Sequence, residues 1–391
     1  MTFRAERARP ADGGPVRWVV IDDSWSLHRE ACAFLESLRA ADRSPNTERV
    51  YAGRVALFLN WSTDSGVDWT QPTFLQLNSL LRWLATSPYA KRRPTGAHRV
   101  RSKSTANAVF TTVSEFLRFG ATQGWVPPSV PAMITSQKYL RFAPTGYDVG
   151  EQEQYRHIQT RTIKYREPGR TPEYLSPSQV DTLLRSVSHD RDRFLLLLML
   201  TTGMRVGEAL GLSREDTHFL ARSDALGCRL TGPHVHVRRR LNENGALAKS
   251  RYERTIPVTT DVVEAYADYQ FERDGIVPGG QSDSVFVNLF RPPLGQAMRY
   301  STVKDLFDRL ARECGFPVRP HMLRHTAATR WIEAGVAPDV VQALLGHVAF
   351  TSTSVYLHAN TERMRAAVEQ TATRTGQRTT GTVDLVGLVS R

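Results

Sequence analysis

A mainly helical fold with one small antiparallel β-sheet, an α+β chain in two domains, is what the sequence predicts. Apolar residues recur at helical spacing from Ser24 to about Trp125 and again from Tyr174 onward, and only residues 228–258 alternate in the manner of strands. With 391 residues the chain is long enough for two separate cores. Its 51 Lys and Arg against 39 Asp and Glu give a formal charge of +12, which points to a polyanion as partner. Three scattered cysteines, Cys32, Cys228 and Cys314, make neither a disulfide framework nor a zinc ribbon, so a reducing cytoplasm is expected. The polar start MTFRAERARPADGGP is no signal peptide, and the longest apolar run, Phe194 to Leu200, is too short for a bilayer; no membrane partner is expected.

Taken in order, residues 1–23 are expected to be an N-terminal extension, with a short strand at Arg17 to Ile21. Residues 24–126 read as a helical domain. Leu27, Ala31, Phe34, Leu35 and Leu38 line a first helix, and Ser44-Pro45-Asn46-Thr47 caps a second carrying Tyr51, Val55, Phe58, Leu59 and Trp61. A third helix is expected from Phe74 to Leu84 and a fourth from Ser104 to Gly120. The loop before the fourth is basic, with Lys91, Arg92, Arg93, Arg99, Arg101 and Lys103. Residues 127–172, opened by Pro127-Pro128 and weakly periodic, are expected to link the two domains, with a small inserted subdomain as the competing reading. A domain over 173–371 follows, with a capped helix after Ser176-Pro177, a buried helix ending at Gly203, and strands at CRLTG, HVHVRRRL and ERTIPV. Residues 372–391 form a tail.

The chemistry gathers between Arg319 and His358. His321 and Arg324 stand three apart at a helix start, pairing a proton carrier with a phosphate clamp on one helix face. The run VVQALL is stopped by Gly346 at a left-handed position, which delivers His347 just past the helix end; Tyr356 stands nine residues on. Taken singly, a histidine near a helix start is most often a cap or core residue, and a lone tyrosine a half-buried core residue. HMLRH lacks the glutamate of H-E-x-x-H, so no metal centre is expected there.

As a set these residues resemble the tyrosine recombinase, or phage integrase, family, whose boxes run T-G-x-R-x-x-E, a β-hairpin lysine ahead of R-x-I-P, then H-x-x-R, L-G-H and Tyr. Here they are Thr202-Gly203-Met204-Arg205 with Glu208, Lys249 before Arg254-Thr255-Ile256-Pro257, His321 and Arg324, Leu345-Gly346-His347, and Tyr356; Met322 departs from the family's usual aspartate. Ser44, Thr47, Tyr51, Phe58 and Trp61 resemble the family's SAM-like core-binding domain, which makes the basic loop a source of phosphate contacts. The resemblance implies a site-specific DNA recombinase, an integrase or transposon recombinase, that cuts and rejoins strands through a 3′-phosphotyrosine. It implies Tyr356 as nucleophile, Arg205 and Arg324 on the phosphate, His321 as proton carrier, Lys249 as general acid, and His347 hydrogen-bonded to the phosphate. Glu208 would orient Arg205. It also implies double-stranded DNA as partner, a homotetramer on that DNA, a cytoplasmic, nucleoid-associated location and no cofactor, because the phosphotyrosine keeps the ester bond and religation needs neither ATP nor metal. Two alternatives are a type IB topoisomerase-like nicking-closing enzyme and a catalytically silent DNA-binding regulator.

Overall fold

The computed structural model describes residues 2–11, 13–88, 100–140, 155, 157–167, 172–228, 230–240, 242–248, 253–280 and 282–346. The chain divides into two compact units, Met1–Ala143 with Asp148–Arg170, and Pro144–Tyr147 with Thr171–Arg391.

The first unit is a helical core with two hairpins. Its helices are α1 (Arg29–Ala40), α2 (Pro45–Asp64), α3 (Phe74–Thr86) and α4 (Lys103–Thr122). Each start has a local cause. Ser44 Oγ accepts from Thr47 N–H with Pro45 in the first turn, Thr73 and Gln76 form a capping box, and Ser102 Oγ accepts from Thr105 N–H. The apolar faces meet in one core in which Phe58, Leu77, Leu80, Phe110 and Phe116 are fully buried. Tyr51 lies at its margin, its hydroxyl donating to Glu115 Oε2 at 3.0 Å.

The strand expected at Arg17 to Ile21 is present, and residues 4–8 supply its partner. β1 (Arg4–Ala8) pairs antiparallel with β2 (Arg17–Ile21), and both strands pack on α2. Val20 and Ile21 are buried, Asn60 exchanges hydrogen bonds with the backbone of Phe3 (2.5 and 2.8 Å), and buried Glu48 accepts from Trp18 N–H at 2.7 Å while pairing with Arg39. Burial of a large aliphatic side chain is worth about 1.5–3 kcal/mol. Deleting residues 2–23 is therefore expected to lower the melting temperature of the helical unit by several degrees; melting indistinguishable from the full chain would make the hairpin an appendage.

The stretch expected as a linker differs. Residues 127–167 carry α5 (Ser129–Ile134) and a hairpin of β3 (Thr135–Tyr139) with β4 (His157–Arg161). Val130, Ile134 and Ile163 are buried in the first unit's core, and Asn107 binds the Tyr165 backbone from both sides, accepting from N–H at 2.8 Å and donating to C=O at 2.9 Å. Two-residue alternation in so polar a pair (TSQKY, HIQTR) gives little periodic signal, because most of its side chains face water.

In the second unit α6 (Pro177–Arg185) opens with the Ser176–Gln179 capping box, and α7 (Asp190–Thr202) is buried on nearly every side. α8 (Val206–Ala209), α9 (Thr260–Ile276), α10 (Tyr300–Cys314), α11 (Pro320–Glu333) and α12 (Pro338–Leu345) complete the helices described. The sheet has the order β5-β6-β7, with β5 at Thr217–His218, β6 at His234–Val237 and β7 at Arg254–Pro257. The expected strand at CRLTG is absent from the described residues there. Gly227 and Gly232, both at positive φ, turn the chain at that point, and the dipeptide of β5 takes the sheet edge instead. Among the described residues no helix is long and apolar enough to cross a membrane.

Candidate active site

Three helix ends and one strand converge in the second unit. α7 stops at Gly203 in the left-handed conformation (φ +61°), and the chain turns directly into α8 with Arg205 as its N-cap residue. α12 stops the same way at Gly346 (φ +62°). Both glycines are also sites of close approach. A Cβ on Gly203 would stand 2.9 Å from Leu345 Cδ2, and one on Gly346 would stand 2.8 Å from Arg254 Nη1. The two box glycines thus serve conformation and packing together.

Arg324, one turn into α11, is 3% exposed and spans the two ends. Its Nη1 donates to Gly203 O and its Nη2 to Leu345 O, each at 2.7 Å. Arg254 on β7 holds the neighbouring carbonyl, Nε donating to Leu344 O at 3.1 Å. Two guanidiniums therefore meet the negative end of α12.

The other side of Arg254 faces Glu208, whose side chain is fully buried. Glu208 Oε2 accepts from Arg254 Nη2 at 2.7 Å and from Arg205 N–H at 2.9 Å, while Oε1 accepts from Arg205 Nη1 at 2.9 Å. Burial by itself would raise the Glu208 carboxyl; the hydrogen bond and charge of Arg254, with the Arg205 backbone and guanidinium, outweigh it and hold the group below its ordinary value of 4.5. A carboxyl depressed on folding adds stability that is complete above that ordinary value and is lost as pH falls through the folded one. Glu208→Gln is expected to cost about 3–5 kcal/mol at pH 7, because it leaves two guanidiniums around an uncharged amide. Urea unfolding checks this: the gap to wild type should narrow below pH 4.5, and a gap independent of pH would show that the carboxylate charge is not what holds the lattice.

His321, in the first turn of α11, is exposed where Arg324 is buried, so the expected common face is shared by direction along the helix rather than by environment. Its ring lies 6.4 Å from that of His325 one turn on. His325 is pushed below the usual imidazole range by burial, then by the charges of His321 and Arg324. Lys249, His347 and Tyr356 lie outside the described residues, as do Lys91, Arg92, Arg93 and Arg99. Of the basic loop, Arg101 lies over the Trp83 ring (5.6 Å) and Lys103, exposed at the start of α4, near the Tyr165 ring (5.7 Å).

At this locus the guanidiniums of Arg205, Arg254 and Arg324 are fixed by one buried carboxylate and by the carbonyls of two helix ends. Residues 173–363 match the Phage integrase family, and the chain belongs to that family of tyrosine recombinases, whose members break and rejoin DNA. Transposase A from transposon Tn554 of Staphylococcus aureus is 26% identical over 360 residues, covering 89% of this chain and 92% of the relative. Tyrosine recombinase XerD of Halalkalibacterium halodurans is 33% identical over 203 residues, 50% of this chain and 60% of that protein. Among solved structures, the Tn1549 transposon integrase in complex with circular intermediate DNA superposes with a TM-score of 0.56 at 19% identity, over 87% of this chain and 98% of that one. A lambda integrase dimer bound to a core site gives 0.54 at 16% identity, over 84% and 94%. At these identities the superpositions establish the fold.

Proposed function

We propose that this chain is a site-specific DNA recombinase of a mobile element, acting through a 3′-phosphotyrosine. The observation that carries this reading is the convergence of the two box arginines. Arg205 and Arg324, far apart in sequence, are tied into one locus through Glu208, Arg254 and the carbonyls of Gly203, Leu344 and Leu345. That locus immediately precedes His347 in the chain, with Tyr356 nine residues further.

The Tyr356 oxygen forms a bond to phosphorus, His321 takes its proton, and the bond from phosphorus to the 5′ oxygen breaks as Lys249 protonates the leaving group. Arg205 and Arg324 stabilise the charge that builds on the nonbridging oxygens, and His347 donates a hydrogen bond to them. With two donors committed to carbonyls, Arg324 supplies positive charge whose position is fixed before substrate arrives. The reverse steps rejoin the strand with a new partner. The partner is duplex DNA carrying attachment or terminal sites, bound by a homotetramer in the cytoplasm at the nucleoid, with Lys91, Arg92, Arg93, Arg99, Arg101 and Lys103 of the first unit on phosphates.

The names of the relatives, a Tn554 transposase and a Tn1549 integrase on circular intermediate DNA, favour strand exchange by a mobile element over a nicking-closing enzyme. Nicked suicide duplexes bearing candidate element ends test the reading. A covalent adduct on the 3′ side, with joined products from two different duplexes, is expected. Supercoil relaxation without such products would establish the nicking-closing alternative, and specific binding without adduct the silent regulator.

A further inference from the structure

The second unit carries a cluster of side chains that this chemistry does not use. On β6, His234 and His236 stand two residues apart and so share one face of the sheet, while Val235 and Val237 turn into the core. β5 pairs with β6 so that His218 lies directly opposite His234. Cys228 comes back to this face from the loop between β5 and β6, which Ser223 closes by donating to Gly232 O at 2.6 Å. Four potential ligand atoms result, all within 4.8 Å of one another. His218 Nδ1 is 2.9 Å from Cys228 Sγ and 3.3 Å from His236 Nε2; His236 Nε2 is 3.1 Å from His234 Nε2 and 3.5 Å from Cys228 Sγ.

Four of the six separations run from 2.9 to 3.5 Å and the other two stay within 4.8 Å, close enough for small shifts to close a tetrahedron around a small cation. Zinc bonds of roughly 2.0–2.1 Å to nitrogen and 2.3 Å to sulfur set ligand atoms about 3.3–3.6 Å apart. The outward ring nitrogens show which atoms face in bare. His218 Nε2 lies 3.1 Å from Glu215 O and His234 Nδ1 lies 2.8 Å from Gly232 O. A carbonyl only accepts, so each of these outer nitrogens carries a proton, which in the neutral imidazole a metal requires leaves the inner nitrogen with its lone pair. His236 Nδ1 is 3.2 Å from the hydroxyl of Thr255, its cross-strand partner on β7, completing the same outer support. Protons alone can join these atoms in pairs, whereas one cation satisfies all four together.

We infer that His218, Cys228, His234 and His236 form a structural site for a single zinc-type divalent ion. Three imidazoles and a thiolate are the donor set of a borderline-soft metal rather than of magnesium or calcium. Four protein ligands leave no open position, so the ion takes no part in the strand transfer proposed above. Its effect is to pin the segment between β5 and β6 to a sheet whose next strand bears Arg254.

The test uses the full-length chain without a histidine tag. Purified from zinc-containing medium it is expected to hold one zinc per chain by elemental analysis, and after chelation to bind one equivalent of cobalt(II). The cobalt form should show intense visible bands of a tetrahedral centre together with a near-ultraviolet thiolate band. Cys228→Ser should abolish the thiolate band and weaken binding by at least the ~10–100-fold that loss of an outer-shell partner costs. Cys32→Ser and Cys314→Ser should leave both unchanged. Should Cys228→Ser fold poorly, re-addition of zinc to stripped wild type raising its melting temperature reads the same site. Stripped wild type with native circular dichroism that takes up no cobalt, or a thiolate band that survives Cys228→Ser or disappears with Cys314→Ser, overturns the inference and leaves a cluster held by hydrogen bonds.

Discussion

Tyr356→Phe is expected to abolish the covalent DNA adduct while leaving site binding intact. The substitution removes one oxygen from a side chain of nearly unchanged shape, and that oxygen is the only protein atom in the proposed mechanism that bonds to phosphorus. Loss of a nucleophile costs on the order of 10⁴–10⁶-fold in enzymes whose remaining site is whole. DNA affinity depends chiefly on Lys and Arg contacts to phosphate and should not move. The measurement is adduct yield on a suicide duplex beside a gel-shift titration with the same duplex. An adduct retained by the Phe variant would remove Tyr356 from the chemistry. Binding lost together with the adduct would show that the tyrosine supports the DNA interface instead.

Arg324→Ala should fail in two assays at once. Its guanidinium makes two buried, charge-assisted hydrogen bonds, to Gly203 O and Leu345 O at 2.7 Å each. Such bonds contribute about 1.5–3 kcal/mol apiece, and their loss leaves two helix-terminal carbonyls buried without these donors, so a destabilisation of about 3–5 kcal/mol is expected in urea unfolding. Adduct formation should fall by about 10²–10³-fold, the range for loss of one preorganised charge-stabilising donor. Arg324→Lys separates the two effects. An ammonium keeps the charge but lacks the planar fork that reaches both carbonyls, so it should recover part of the stability and little of the cleavage. Full recovery of cleavage by lysine would mean that charge alone suffices at this position.

The helical framework was legible because its signals are local. Ser44, Thr73, Ser102 and Ser176 each cap the helix that follows, and Gly203 and Gly346 each take the left-handed turn that ends one. What escaped depends on partners remote in sequence. Arg254 was visible as the first letter of R-x-I-P, yet nothing local says that it joins Glu208 to Leu344. The alternation of HVHV showed a strand, but its histidines acquire His218 as a neighbour only through the register of a two-residue strand, and Cys228 only through a loop. The partner strand of Arg17–Ile21 and the hairpin at 135–161 were obscured for a related reason. Strand pairing is chosen by the surface beneath, and here that surface belongs to α2 in one case and, in the other, to α5 beside β3 and to α4, whose Asn107 carbonyl accepts from Arg161 of β4.

The grip on α12 sets the unit of exchange for any chimera of this chain. Leu344 and Leu345 are held by side chains from β7 and α11, and the same lattice runs through Gly203, Arg205 and Glu208 at the junction of α7 and α8. A graft that imports a new segment from Pro338 onward, with the tyrosine proposed above as nucleophile, inherits anchor points whose geometry is written in three other places. Transplants should succeed when residues 203–208, 254, 324 and 338–346 travel together. Swaps cut between them would leave the end of α12 on mismatched anchor points.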